Sequence, residues 1–212
     1  MLLEQDCSIR ELHIGNWLKM NRICVYCGAS PGLKPEYLDA TRNLAGAMVD
    51  RGIDLVYGGG SVGMMGAIAD AVLEAGGEVI GVIPRALAER EVAHRGVTDL
   101  RVVESMHERK ALMAELADGF IAMPGGFGTL EELLEVLTWS QLGFQQKPCG
   151  VLNVAGYFDM LTGFLDHAVE QQFVKPVHRR MLLVAADSEQ LLARMADYKP
   201  PVVDKWIGRG ET

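Results

Sequence analysis

Two hydrophobic rhythms take turns along the chain. Short runs that are almost continuously apolar, at residues 22–27, 54–57, 78–83, 100–103, 119–123, 149–154 and 181–185, predict strands. Between them, apolar positions recur three and four apart and predict helices over 35–50, 63–75, 106–117, 130–142, 158–172 and 188–196. In the first helix Leu38, Leu44, Ala45, Met48 and Val49 form the inner stripe and Gly52 is the stop, as Gly76 and Gly77 are for the second. Strands with no polar face must be covered on both sides, so the pattern predicts a single α/β domain with a doubly wound, mostly parallel sheet. With right-handed crossovers and the common 3-2-1-4-5 order, the chain reverses beside the first strand, and ligands bind there at the carboxyl ends of the strands. That order makes the fourth and fifth strands neighbours, which would let Arg109 and the Glu131–Glu132 pair face one pocket. The stretch 85–98, charged and poor in apolar residues, reads as a mobile excursion.

Four loops converge at that reversal in such a Rossmann-like sheet. They bring Ser30 after the first strand, Gly59, Gly60 and Ser61 after the second, Met106, Arg109 and Lys110 after the fourth, and 124–129 after the fifth. The last is the most informative. Pro124-Gly-Gly-Phe-Gly-Thr-Leu-Glu-Glu132 joins an apolar strand to a helix start, where unpaired backbone N–H groups and the positive end of the dipole converge on one point, as a phosphate site requires. Glu131 and Glu132 follow at once, about 100° apart around the helix. Acids are awkward beside an anion, which suggests another task for them. Thr129 and Glu132 also have the spacing of a capping box, and both readings stand. Arg109 and Lys110 open a helix, against its dipole, and so call for a compensating phosphate or carboxylate. His107, between them and the strand, has no evident orienting partner.

Gly58, Gly60 and Gly63 match G-x-G-x-x-G, but the match follows the second strand, and the next strand ends Val82-Ile83-Pro84-Arg85 with no acid for a ribose. This argues against NAD or FAD. No Gly-Lys-Ser/Thr follows either glycine cluster, which excludes a Walker A loop.

Composition narrows the picture further. A net charge of -8 over 212 residues argues against nucleic-acid binding, and no apolar stretch nears the ~20 residues that span a bilayer. Cys7, Cys24, Cys27 and Cys149 are too few and too irregular for a disulfide framework; Cys24 and Cys27 fall on opposite faces of a strand and read as buried thiols. The five histidines are scattered, so no metal is expected. Residues 1–19 carry charges and no apolar core, which reads as an extension without a secretory signal on a cytoplasmic domain of residues 20–198, with 199–212 as a tail.

Taken together, Gly58-Gly-Gly-Ser-Val-Gly-Met-Met-Gly66, Met106-His-Glu-Arg-Lys110 and Pro124-Gly-Gly-Phe-Gly-Thr-Leu-Glu-Glu132 resemble the Lonely Guy family, the cytokinin riboside 5'-monophosphate phosphoribohydrolases often mislabelled as lysine decarboxylases. The resemblance runs from about residue 21 to 196. It implies hydrolysis of the N-glycosidic bond of an adenosine 5'-monophosphate, plain or N6-substituted, to free base and ribose 5-phosphate. It also implies Arg109 and Glu132 as the catalytic pair, with Lys110, Gly125, Gly126, Phe127, Gly128, Thr129, Leu130, Glu131, Glu91 and Thr138 at substrate-contacting positions. A homodimer is implied too, for which the helix bearing Leu133, Leu134, Val136, Leu137 and Trp139 offers a face. The charge of Arg109 is expected to keep Glu132 ionised. No cofactor is expected, since decarboxylation would need pyridoxal phosphate on a lysine and no Schiff-base context is evident. A nucleotide-binding or carrier protein of the same fold, without hydrolysis, is the alternative.

Overall fold

The structure, a computed structural model, describes residues 20–89 and 92–201. The expectations for residues 1–19, for Glu91, for Cys7 and for most of the tail lie outside the described residues. Seven parallel strands form one sheet: β1 (Arg22–Tyr26), β2 (Asp54–Tyr57), β3 (Val79–Pro84), β4 (Asp99–Val103), β5 (Gly119–Ala122), β6 (Cys149–Leu152) and β7 (Leu182–Ala185). The helices are α1 (Glu36–Val49), α2 (Gly63–Glu74), α3 (Arg85–Ala88), α4 (Met106–Leu116), α5 (Phe127–Gln141), α6 (Asp159–Glu170), α7 (Pro176–Arg179) and α8 (Ser188–Ala196). The doubly wound sheet is as the apolar rhythm predicts. Leu44, Met48, Ile68 and Leu192 cover one face and Met113, Leu133, Val136 and Phe158 the other, all at most 1% exposed. Cys24 and Cys27, buried free thiols, fall in the cores on opposite faces.

The strand order is β4-β3-β2-β1-β5-β6-β7. The reversal does lie beside β1, but β5 rather than β4 is its neighbour, so the expected 3-2-1-4-5 order is corrected. The excursion after β3 is the reason: its chain turns through α3 and comes back parallel to β3, adding β4 as an edge strand with Val102 44% exposed. Residues 92–94 of the excursion are tied down. Ser61 N–H donates to Val92 O at 2.8 Å, Ala93 bridges Gly60, His94 N–H donates to Gly59 O at 2.9 Å, and His94 Nε2 meets Asp70 Oδ1 at 2.8 Å.

From the sheet edge, α4 must then cross back over β3 and β2 to deliver the chain to β5. This crossing, and not adjacency of β4 and β5, carries Arg109 to the centre of the molecule.

Candidate functional site

The crevice opens where β1 and β5 part. Gly28 N–H donates to Pro124 O at 3.0 Å, closing the two loops on each other. A side chain at Gly125 would overlap Thr129 Oγ1 and approach Gly28 N to 2.9 Å, so only glycine fits this crossing. A cavity of about 500 Å³ opens on the α1 side, walled by Gly28, Ser30, Tyr37, Met64, Gly126 and Tyr157. Tyr157 Oη donates to Gly125 O at 2.6 Å, and its ring meets Tyr37 edge to face, centroids 5.8 Å apart. Both tyrosines were missed in the sequence because neither sits in a glycine motif; the available signal was their position just past a strand-end turn and at a helix start.

The helix after the glycine turn starts three residues earlier than its apolar pattern suggests. Gly126 occupies the N-cap position with no side-chain cap, and Leu130 N–H makes the first helical bond, to Gly126 O at 3.1 Å. Thr129 therefore sits inside the first turn, buried, and of the two readings of Thr129–Glu132 the capping box is the one the structure does not form. A box-like cap of the same spacing lies instead at the start of α4, where Ser105 Oγ accepts from Glu108 N–H at 3.1 Å and Glu108 Oε2 accepts from Glu104 N–H at 2.9 Å. Free of capping duty, Glu132 turns inward.

There it meets Arg109. Nη1 of Arg109 donates to Glu132 Oε1 at 3.1 Å, Nε donates to Val82 O at 3.1 Å, and Nη2 reaches Gly58 O at 3.4 Å. Both side chains are only 11% exposed. Burial pushes the Glu132 carboxyl above the usual carboxylate range, more than Arg109 and, less strongly, Lys110 pull it down; Glu131 and Glu135 push it further up. Arg109 favours the ionised form, as expected, but desolvation outweighs it and the carboxyl titrates above its ordinary value. Lys110 lies outside the pair, bound to Glu131 at 2.6 Å and Glu135 at 2.9 Å, and these bonds raise its ammonium above the ordinary value. Glu135 went unnoticed in the sequence, although it stands one helical turn beyond Glu131 on the same face.

The remaining candidates divide into three groups. Ser30, Gly125, Gly126, Phe127, Gly128, Thr129 and Leu130 gather around the crevice, with Phe127 almost wholly exposed at its rim, and Met106 is half-exposed at the start of α4. Gly59, Gly60 and Ser61 lie close by, but the Gly59 carbonyl and the Ser61 N–H and hydroxyl are engaged with 92–94. Thr138 is apart. It is six residues beyond Glu132, roughly 9 Å along the helix axis, and its hydroxyl donates to Leu134 O in an exposed groove with Leu165 and His178. His107 is exposed on α4. Of the apolar residues expected to form a dimer face on α5, Leu133 and Val136 are instead part of this chain's own core, while Leu134 is 41% exposed. No helix among the described residues is long and apolar enough to cross a membrane.

Fold and crevice define a doubly wound α/β protein with a cavity at the β1–β5 switch and a buried arginine–glutamate pair between α4 and α5. The chain belongs to the family described as "possible lysine decarboxylase", whose model matches residues 65–195. Its relatives include cytokinin riboside 5'-monophosphate phosphoribohydrolases. It is 51% identical to LOG1 of Arabidopsis thaliana over 86% of this chain and 85% of that protein, and 51% identical to LOG of Oryza sativa subsp. japonica over 86% and 75%. Solved structures of similar fold include the molybdenum cofactor binding protein from Rippkaea orientalis (TM-score 0.61, 22% identity, 81% of this chain and 93% of that one). The molybdenum cofactor carrier protein from Chlamydomonas reinhardtii is another (TM-score 0.60, 23% identity, 81% and 98%).

Proposed function

We propose that this protein hydrolyses the N-glycosidic bond of adenosine 5'-monophosphate, or of an N6-substituted form, releasing the free base and ribose 5-phosphate. The observation that carries the reading is the buried Arg109–Glu132 pair, about one and a half turns from the uncapped start of α5, in a chain half identical to phosphoribohydrolases. The first-turn N–H groups of α5 hold the 5'-phosphate, supplying binding energy remote from the bond that breaks. The ribose then lies beside Glu132. Breaking the bond from C1' to the base develops positive charge on the sugar, which a fixed carboxylate stabilises while it orients or deprotonates the attacking water. Arg109 holds Glu132 and is not a proton donor, since a guanidinium keeps its protons. The protein works in the cytoplasm as a homodimer, in which a second copy covers exposed apolar groups such as Leu134, Met160 and Phe164.

Incubation of the purified protein with AMP and with N6-isopentenyl-AMP, followed by chromatography of the bases, tests this. Free base and ribose 5-phosphate in equal amounts are expected. Nucleotide that binds and stays intact would instead make the protein a carrier.

A further inference from the structure

Gly58 differs from its neighbour in what its missing side chain is for. Gly59 has φ 75°, a left-handed backbone that favours glycine, and Gly58 has no such requirement. What excludes a side chain at 58 is space: a Cβ there would overlap Nη2 of Arg109 and come within 3.2 Å of its Cζ. The same residue's carbonyl faces that nitrogen at 3.4 Å, Val82 O holds Nε, and Glu132 receives Nη1. The guanidinium is therefore fixed on three sides by acceptors from β3, the β2 turn and α5, and lies against bare backbone on the β2 turn.

We propose that the glycine turn after β2 is a socket that sets the Arg109 guanidinium against Glu132, with Gly58 as the positioning residue. The turn is stiffened from its other side, where Gly59 O and Ser61 N–H are paired with His94 and Val92. A methyl group at 58 leaves the turn's backbone intact and displaces the guanidinium by about the width of an atom, a misplacement of the size that costs an active site about 100-fold. This rests on the reading of Arg109 and Glu132 as the reacting pair.

The displacement has a second consequence. The groups facing Glu132 are Arg109 and Lys110 from α4, Glu131 and Glu135 from its own helix, and Cys24, Tyr26 and Cys27 from β1 and its end. Arg109 is the strongest of those that hold the carboxyl down. Moving it away raises the carboxyl further, so the acid limb of kcat/KM moves to higher pH.

The test is Gly58→Ala assayed on AMP across pH, alone and combined with Arg109→Ala. The expected result is a fall in kcat of about 10- to 100-fold with KM changed less than about twofold, an acid limb shifted upward, and no further loss when Gly58→Ala is added to Arg109→Ala. Wild-type kcat with an unmoved acid limb overturns the proposal. So does an additive loss in the double variant, or misfolding of Gly58→Ala that persists once the arginine side chain is gone. Undiminished kcat/KM in Arg109→Ala alone strikes instead at the functional reading on which the socket rests.

Discussion

Glu132 is a carboxylate kept in an unfavourable place. Its folded-state pKa is raised by burial, so linkage has a definite sign: the folded protein binds this proton more tightly than the unfolded chain does. Stability from this group is fully present below the unfolded value near 4.5 and is lost as pH rises through the raised folded value. Glu132→Gln removes the ionisation cost. At pH 7 its melting temperature is expected to equal or exceed that of the wild type, an advantage that vanishes toward pH 4, as thermal melts across pH will check. Turnover moves the other way, since the proposed mechanism uses the ionised form; kcat/KM of the wild type is expected to fall as pH drops through the same raised pKa, and a rate–pH profile reads it directly. On the proposed mechanism, keeping this buried carboxylate trades stability for chemistry.

At the scale of elements, the starts of α4 and α5 do different work. α4 is capped by Ser105, and Ser105→Ala is expected to cost about 1 kcal/mol, or roughly 2–4 °C in Tm for a chain of this size, measured by thermal melting. α5 has no side-chain cap, and its open turn is where the phosphate is proposed to bind. Gly125→Ala puts a methyl group into Thr129 and toward Gly28 N. It is expected to raise KM for AMP about tenfold or more, with the loss seen in steady-state kinetics. The glycine turn was legible because its spacing admits few other uses. The capping-box reading stayed open in the sequence because Ser105-x-x-Glu108 and Thr129-x-x-Glu132 share one spacing, and the helix start that separates them, at Phe127, lies beside the close contact of Gly28 with Pro124 and Gly125, which no local pattern carries.

For the whole molecule, the alternation of apolar strands and amphipathic helices was enough for the sheet, its parallel direction and the reversal beside β1. It did not reveal that β4 joins the β3 edge, because the choice of edge depends on how 85–98 returns, and its pairing with Gly59–Ser61 is a long-range contact between polar segments. The Arg109–Glu132 encounter was anticipated from adjacent strands and is reached by a different route, the passage of α4 over β3 and β2. Arg109 and Glu132 thus stand 23 residues apart in sequence and meet only in the finished fold. The most direct test of the account is the time course of free base released from AMP by Glu132→Gln beside the wild type, at equal nucleotide occupancy. The account predicts steady release by the wild type and a rate lower by about 100-fold or more in the variant. Equal rates from the two proteins would contradict it.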